Sequence, residues 1–167
     1  MENSSCSICH GTKAKLECGC CQSTICKKCA QFLDEDSFSF LPEVPAELKH
    51  TVYCYPCYDA TVAPALADYQ ETIERAKQIQ VYFDNQGKET RLLKRLEEPV
   101  HVKECADKDE TLLRLAFFAA RLNYNGIIDV SVVSTKIRSG AYQTQVWNGS
   151  GIPSYIDPKR VIRSKSF

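Results

Sequence analysis

Four Cys-x-x-Cys pairs in the first 57 residues constrain this chain more than any other feature: Cys6 with Cys9, Cys18 with Cys21, Cys26 with Cys29, and Cys54 with Cys57. Five cysteines crowd into CGCCQSTICKKC (residues 18–29), and only Cys105 lies beyond Cys57. Disulfide, metal and catalytic roles are all open at the outset. Two thiolates three positions apart converge on one metal from a tight turn whose amides help to hold the negative charge. Two such pairs supply a tetrahedral structural zinc site, so four pairs predict two zinc ions. A segment this small buries too little apolar surface to fold unaided. Zinc binding contributes on the order of 10 kcal/mol or more in such modules. A closed four-thiolate shell leaves no position for water, which argues for a structural rather than a catalytic metal.

The remaining thiols and the histidines have weaker claims. Cys20 competes with Cys21 as a ligand, and Cys21 is preferred because it completes the three-residue step of the other pairs. His10 and His50 are substitute ligands behind the thiolates. Cys105 reads as a packed or edge residue, with a catalytic thiol beside His101 on the same strand face as the sharper alternative.

Charge and hydropathy narrow the function classes. Lys plus Arg and Asp plus Glu number 21 each, so no global field points to nucleic acid. Residues 1–60 carry net −3, residues 61–100 net −1 and residues 101–167 net +4. Lys159, Arg160, Arg163 and Lys165 make the C-terminal tail basic, either as a solvated terminus or as a contact for an anionic surface. LLRLAFFAARL, broken by Arg114 and Arg121, is too short to span a bilayer. MENSSCSICH lacks the basic start and apolar core of a signal peptide. A cytoplasmic location is therefore expected, and in a reducing compartment clustered thiols favour metal over disulfides.

The order of pairs, with eight residues after the first, four after the second and a long loop before the last, resembles the FYVE-type zinc finger. CGCCQSTICKKC and VYCYPCYDA carry the likeness, which covers about residues 1–60. The resemblance implies a cross-brace: Cys6, Cys9, Cys26 and Cys29 on one zinc, and Cys18, Cys21, Cys54 and Cys57 on the other. RING and PHD fingers share that brace but place a histidine among the middle ligands, and none lies between Cys18 and Cys29. The family's phosphoinositide motif is not reproduced. Its basic, two-histidine stretch corresponds here to AKLECG, with Leu16 and Glu17 at the histidine positions and only Lys15 matching in character. In the long loop, Phe32, Phe38, Phe40 and Leu41 read as a minimal core over the zinc loops, or else as an exposed groove for a partner peptide.

After Cys57 the period changes. Leu66, Tyr69, Ile73 and Ala76 predict a helix over about residues 63–78, with Pro64 in its first turn. IQVYF predicts a strand, DNQGKE a turn, and RLLKRLEE gives mixed signals. PVHVKEC alternates as a strand, with Val100, Val102 and Glu104 opposite His101, Lys103 and Cys105. A helix follows over about 109–123, capped by Asp107 or Asp109 and stopped at Asn125-Gly126. Then come a strand with Ile128, Val130 and Val132 inward, a turn at Ser139-Gly140 and a returning strand AYQTQVWN. GSGIP (149–153) reads as a turn rather than a phosphate cradle, and Trp147 as a core anchor or an oligomer contact. ETLLRLAFFAARLNYNGIIDVSV and YQTQVWNGSGIPSYI resemble the YbjQ-like family of small α+β domains, with Tyr124-Asn125-Gly126 replacing its usual Gly-Ala-Asn turn. The resemblance implies ring-like homo-oligomers and a heavy-metal-binding label. No paired cysteines or histidines follow Cys57 to support a metal there.

The expected architecture is α+β. A two-zinc cross-brace finger occupies residues 1–60 and a linking helix and strand 61–95. A small sheet with one helix on one face, ordered strand-helix-strand-strand, occupies 96–157, before the basic tail 158–167. No catalytic constellation stands out, so the expected function is a non-enzymatic zinc-binding adapter with protein partners and a homo-oligomer through its C-terminal domain. The alternatives are a membrane-recruitment module using Lys13, Lys15, Lys27, Lys28 and the tail on anionic lipid, and a RING-like ubiquitin ligase.

Overall fold

Very short strands bracket the cysteine turns, as befits a segment held by ligands rather than by long ladders. A computed structural model describes residues 5–90, 93 and 98–157, and the chain divides into two units between Gln70 and Glu71. The fold is α+β, as expected. Among the described residues no helix is long and apolar enough to cross a membrane. RLLKRLEE, apart from Leu93 and Glu98, and the tail cations Lys159, Arg160, Arg163 and Lys165 lie outside the described residues.

In the first unit β1 (Ala14–Glu17) pairs antiparallel with β2 (Thr24–Cys26), and β3 (Ala30–Phe32) with β4 (Val52–Cys54). Ala14 stands opposite Cys26 and Ala30 opposite Cys54, so each ladder ends on a cysteine. Ile25, Tyr53 and Val62 are fully buried, with Leu33, Phe38 and Leu48 close to it. The buried Tyr53 hydroxyl donates to Glu47 O (3.0 Å) and accepts from His50 N–H (3.2 Å), which satisfies it away from water. Of the rings expected to form a minimal core there, Phe38 is buried, against Tyr69, and Phe32 is not: it is 56% exposed.

Helical backbone begins earlier than the period indicates. A short α turn, α1 (Tyr55–Cys57), and a π turn (Tyr58–Val62) lead directly into α2 (Ala63–Ala76). Pro64 is the second residue of α2, as expected, and Pro56 holds the corresponding place in α1. Pro64 falls just after the π turn, the kind of irregularity that accommodates a residue with no N–H to give to the preceding turn.

The second unit holds a four-stranded sheet ordered β5 (Gln80–Phe83), β7 (Gly126–Ser139), β8 (Tyr142–Ser154), β6 (Val100–Cys105). A 3-10 turn (Asp84–Gln86) and α3 (Gly87–Thr90) follow β5. β5 is parallel to β7, while β8 is antiparallel to both of its neighbours. The expected strand-helix-strand-strand order is present, and β5, from the segment read as a link, adds an edge strand. α4 (Lys108–Arg121) begins at Asp107, whose carboxylate accepts from Glu110 N–H (2.7 Å). Glu110 returns a bond from Ala106 N–H (2.6 Å), so two terminal donors are satisfied. The helix ends at Asn123 (φ 60°), with Asn123 N–H to Ala120 O and Tyr124 N–H to Ala119 O. That is the double bond pattern of a left-handed helix end. Asn125-Gly126 is thus not the stop; the Asn125 amide instead clasps the main chain of Ile156 through two 2.7 Å bonds.

Two further expectations are corrected. GSGIP is strand, not turn. Gly149 lies under α4, where a Cβ would come within 2.6 Å of Thr111 Cγ2 and 3.0 Å of Leu115 Cδ1. Pro153 is tolerated because β6 pairs with β8 only as far as Gly151. Positive φ at Glu104 (56°) and Asp129 (52°), together with register shifts there, breaks the simple alternation. Cys105 therefore turns inward with Val102, and Glu104 stays exposed. In β7, Ile127, Ile128 and Val130 are all fully buried, and Val132 only half. Ile128 joins Tyr82 and Ile156 in a separate cluster with Leu93 and Ile152. Trp147 is half-buried opposite Cys105 and Ser134.

Candidate metal centres

Each site is assembled from backbone geometry that repeats. In the first turn, His10 N–H bonds to Cys6 O (2.8 Å) and Cys6 N–H to Gly11 O (2.9 Å). In the second, Gln22 N–H bonds to Cys18 O (2.9 Å) and Cys18 N–H to Ser23 O (3.0 Å). His10 (φ 57°) and Gln22 (φ 58°), each directly after the second cysteine of its pair, both take the left-handed conformation that closes the loop. No glycine marks either position, so only their common place after a pair signalled them. The third and fourth pairs follow short strands: Cys26 ends β2 and Cys54 ends β4.

These elements bring eight sulfurs into two groups. Cys6, Cys9, Cys26 and Cys29 form one, and Cys18, Cys21, Cys54 and Cys57 the other; within each, the sulfurs lie within 4.8 Å of one another. The first pair in the chain joins the third, and the second joins the fourth, which is the cross-brace arrangement. All ten cysteines are free thiols. A tetrahedral zinc with Zn–S bonds of about 2.3 Å sets its sulfurs roughly 3.8 Å apart. Cys9 and Cys26 stand at 3.6 Å, and Cys21 and Cys54 at 3.8 Å. Each group is able to hold one metal ion, and four thiolates in a closed set fit structural zinc.

The thiol electrostatics agree with a site built for a cation. Cys6 is drawn down to about 6, chiefly by the Cys9 amide against the opposing effect of burial, with Cys26 N–H also donating to its sulfur at 3.3 Å. Burial pushes Cys18 up, but the amides of Cys21, Cys54 and Cys20 outweigh it and bring that thiol to about 6 as well. The last thiol of each group moves the other way. Hydrogen bonding to Cys9 and then Cys26 pushes Cys29 up to about 12, and Cys54 followed by burial raises Cys57 further. A metal ligand must be a thiolate, so binding releases thiol protons and weakens as the solution is acidified.

The other candidates fall outside both groups. Cys20 points its sulfur at Glu47 O (3.7 Å), and its pKa is raised by burial and then by the neighbouring Cys18 and Cys21. His10 is exposed, and His50 lays its ring against Gly19. Cys105 is fully buried while His101 is exposed, so the bulge at Glu104 separates the two groups that a catalytic thiol would need together. One charged feature adjoins the first group: Lys13, Lys27 and Lys28, with Thr12, line an open cleft of about 550 Å³ beside Cys9 and Cys26. No protein-family model, curated protein or solved structure matches the chain.

Proposed function

We propose that this chain is a non-enzymatic, zinc-stabilised interaction protein of the cytosol, with a FYVE-like finger as one recognition surface and a YbjQ-like α+β unit as a second. The observation that carries this reading is the closure of both cysteine groups. Eight of the ten thiols gather in two four-sulfur sets that leave no position for a substrate or water; of the other two, Cys105 is buried and Cys20 turns its sulfur to Glu47 O. A metal used in this way fixes the shape of a surface instead of performing chemistry. The second surface is supported by the β7–β8 hairpin. β5 pairs with β7 only as far as Val130, and β6 with β8 only as far as Trp147, so among the described residues the hairpin continues without a third strand. Beyond that point Ile137 and Tyr142 are exposed, Tyr142 by 79%. Gly140 (φ 62°) makes its tight turn. A two-stranded ribbon is marginal alone and gains from being covered. We assign to it the contact through which the protein self-associates.

Two experiments test this reading. Capture of partners from a cell lysate by the zinc-loaded protein should be lost with Cys26→Ser; capture unaffected by that change contradicts the role of the finger. Light scattering across concentration should show an oligomer that Ile137→Lys shifts toward monomer, and a monomer throughout contradicts the second surface.

A second reading, recruitment to anionic membranes, draws on the lysine cleft beside the first metal group. Glu17 at the position of a phosphoinositide-binding histidine counts against it. Flotation with vesicles that contain or lack phosphatidylinositol 3-phosphate decides it: vesicle-bound protein supports recruitment, and none removes it.

A further inference from the structure

The loop between the third and fourth cysteine pairs carries a groove for which the metal groups do not account. From Ala30 to Leu48 the chain holds five carboxylates and no lysine or arginine. It folds as successive turns, with Ser37 N–H to Asp34 O, Ser39 N–H to Asp36 O and Leu41 N–H to Phe38 O. These turns border an open groove of about 470 Å³. Pro42 and Val44 supply its accessible apolar lining over the buried Phe38 and Leu48, Asp34, Glu35 and Glu43 its acidic rim, and Lys49 is the one lysine or arginine among the described residues that line it, with His50 beside it. The lining is held in place: the Phe38 ring meets Tyr69 edge-on at 5.2 Å and 74°, and Phe40 N–H bonds to the Tyr69 hydroxyl (3.1 Å). A preformed surface loses little freedom when a ligand settles on it.

The chemistry of the groove selects its occupant. Three carboxylates against one lysine repel an anionic headgroup or an acidic peptide. A bare divalent cation does not fit either. These carboxylates do not converge as ligands, and the only groups of metal-binding side chains among the described residues are the two cysteine sites. An apolar lining inside an acidic rim calls for a ligand that joins an apolar side chain to positive charge. We infer that this groove docks a short basic segment of a partner protein, with an aliphatic side chain against Pro42 and Val44 and flanking lysine or arginine against Asp34, Glu35 and Glu43. This deepens the interaction-protein reading and rests on it.

The test uses the full-length, zinc-loaded protein and two fluorescein-labelled peptides, Lys-Arg-Leu-Lys-Arg and Gln-Gln-Leu-Gln-Gln, followed by fluorescence anisotropy. The basic peptide should bind saturably and at least about tenfold more tightly than the neutral one, and should weaken as salt is raised. Asp34→Asn with Glu43→Gln should cost about tenfold in affinity while the zinc content stays at that of the parent protein. Removing equal charge elsewhere, with Glu71→Gln and Glu74→Gln, should leave binding within about twofold. Absence of saturable binding, equal affinity for the two peptides, or equal loss in both double variants would overturn the assignment. The lysate capture separates this failure from failure of the broader reading. If Cys26→Ser abolishes capture and the anisotropy assay is negative, the finger recognises partners by another face. If Cys26→Ser leaves capture intact, the interaction reading falls and the groove proposal with it.

Discussion

In the first unit, four of the buried positions that would belong to a hydrophobic core are cysteines, namely Cys6, Cys18, Cys26 and Cys54. In the second, the corresponding positions are filled by Leu112, Leu115, Phe117, Ile127, Ile128 and Val130. The strands differ in the same sense. Those of the finger run to three or four residues, while β7 and β8 run to 14 and 13. A short ladder with a small core cannot offset the conformational entropy of its own ordering. The finger must therefore borrow its stability from ligand bonds, which act at a few points and fail together. The second unit spreads its stability over many contacts, each replaceable at modest cost. Folding of the first part is therefore expected to be conditional on a metal, and folding of the second is not.

The sharpest way to break this comparison is to remove one ligand. Cys26→Ser should unfold the finger outright, since bonds to zinc contribute on the order of 10 kcal/mol. The second unit should keep its dispersed amide signals by NMR, and loss of signals from both units would mean that they fold as one. The matching cut in the second unit is milder. Leu115→Ala, on the buried face of α4, should destabilise that unit by about 2–5 kcal/mol in thermal or denaturant melts. The zinc content should not change. Asp107→Ala removes the cap of α4 and should lower the stability of the same unit by about 1 kcal/mol. Cys20→Ser should do least. Its sulfur lies outside both groups, so metal content and finger stability should match the parent protein. A drop to one bound ion in that variant would move Cys20 into the second site in place of Cys21.

The parts legible in the sequence were those with strict local chemistry. A three-residue step between cysteines admits few alternatives, and all four pairs sit where that spacing put them. The exchange of partners between pairs was not in the spacing; the resemblance to a cross-braced finger supplied it. Periodicity located α4 and the strands around it, because an amphipathic helix and a half-covered sheet each write their partner into the sequence. What escaped were backbone states with no residue to announce them. His10, Gln22, Glu104 and Asp129 adopt positive φ without being glycine, and two of them are bulges that redirect Cys105 and Ile128. The opposite error occurred at GSGIP, where glycines ordinarily read as punctuation. Here Gly149 and Gly151 are small because a helix and a neighbouring side chain lie against them. Phe32 shows the remaining gap: an aromatic residue in a short loop gives no sign of which side it will present.

The central claim is that the shape of the first unit depends on two metal ions. It is tested most directly by measuring metal content by mass spectrometry on protein purified without added zinc, with NMR spectra recorded before and after a strong chelator. The account predicts two zinc ions per chain, and loss of the finger's dispersed signals on chelation while those of the second unit persist. A chain isolated with no metal, or a finger whose spectrum is unchanged in chelator, would contradict it.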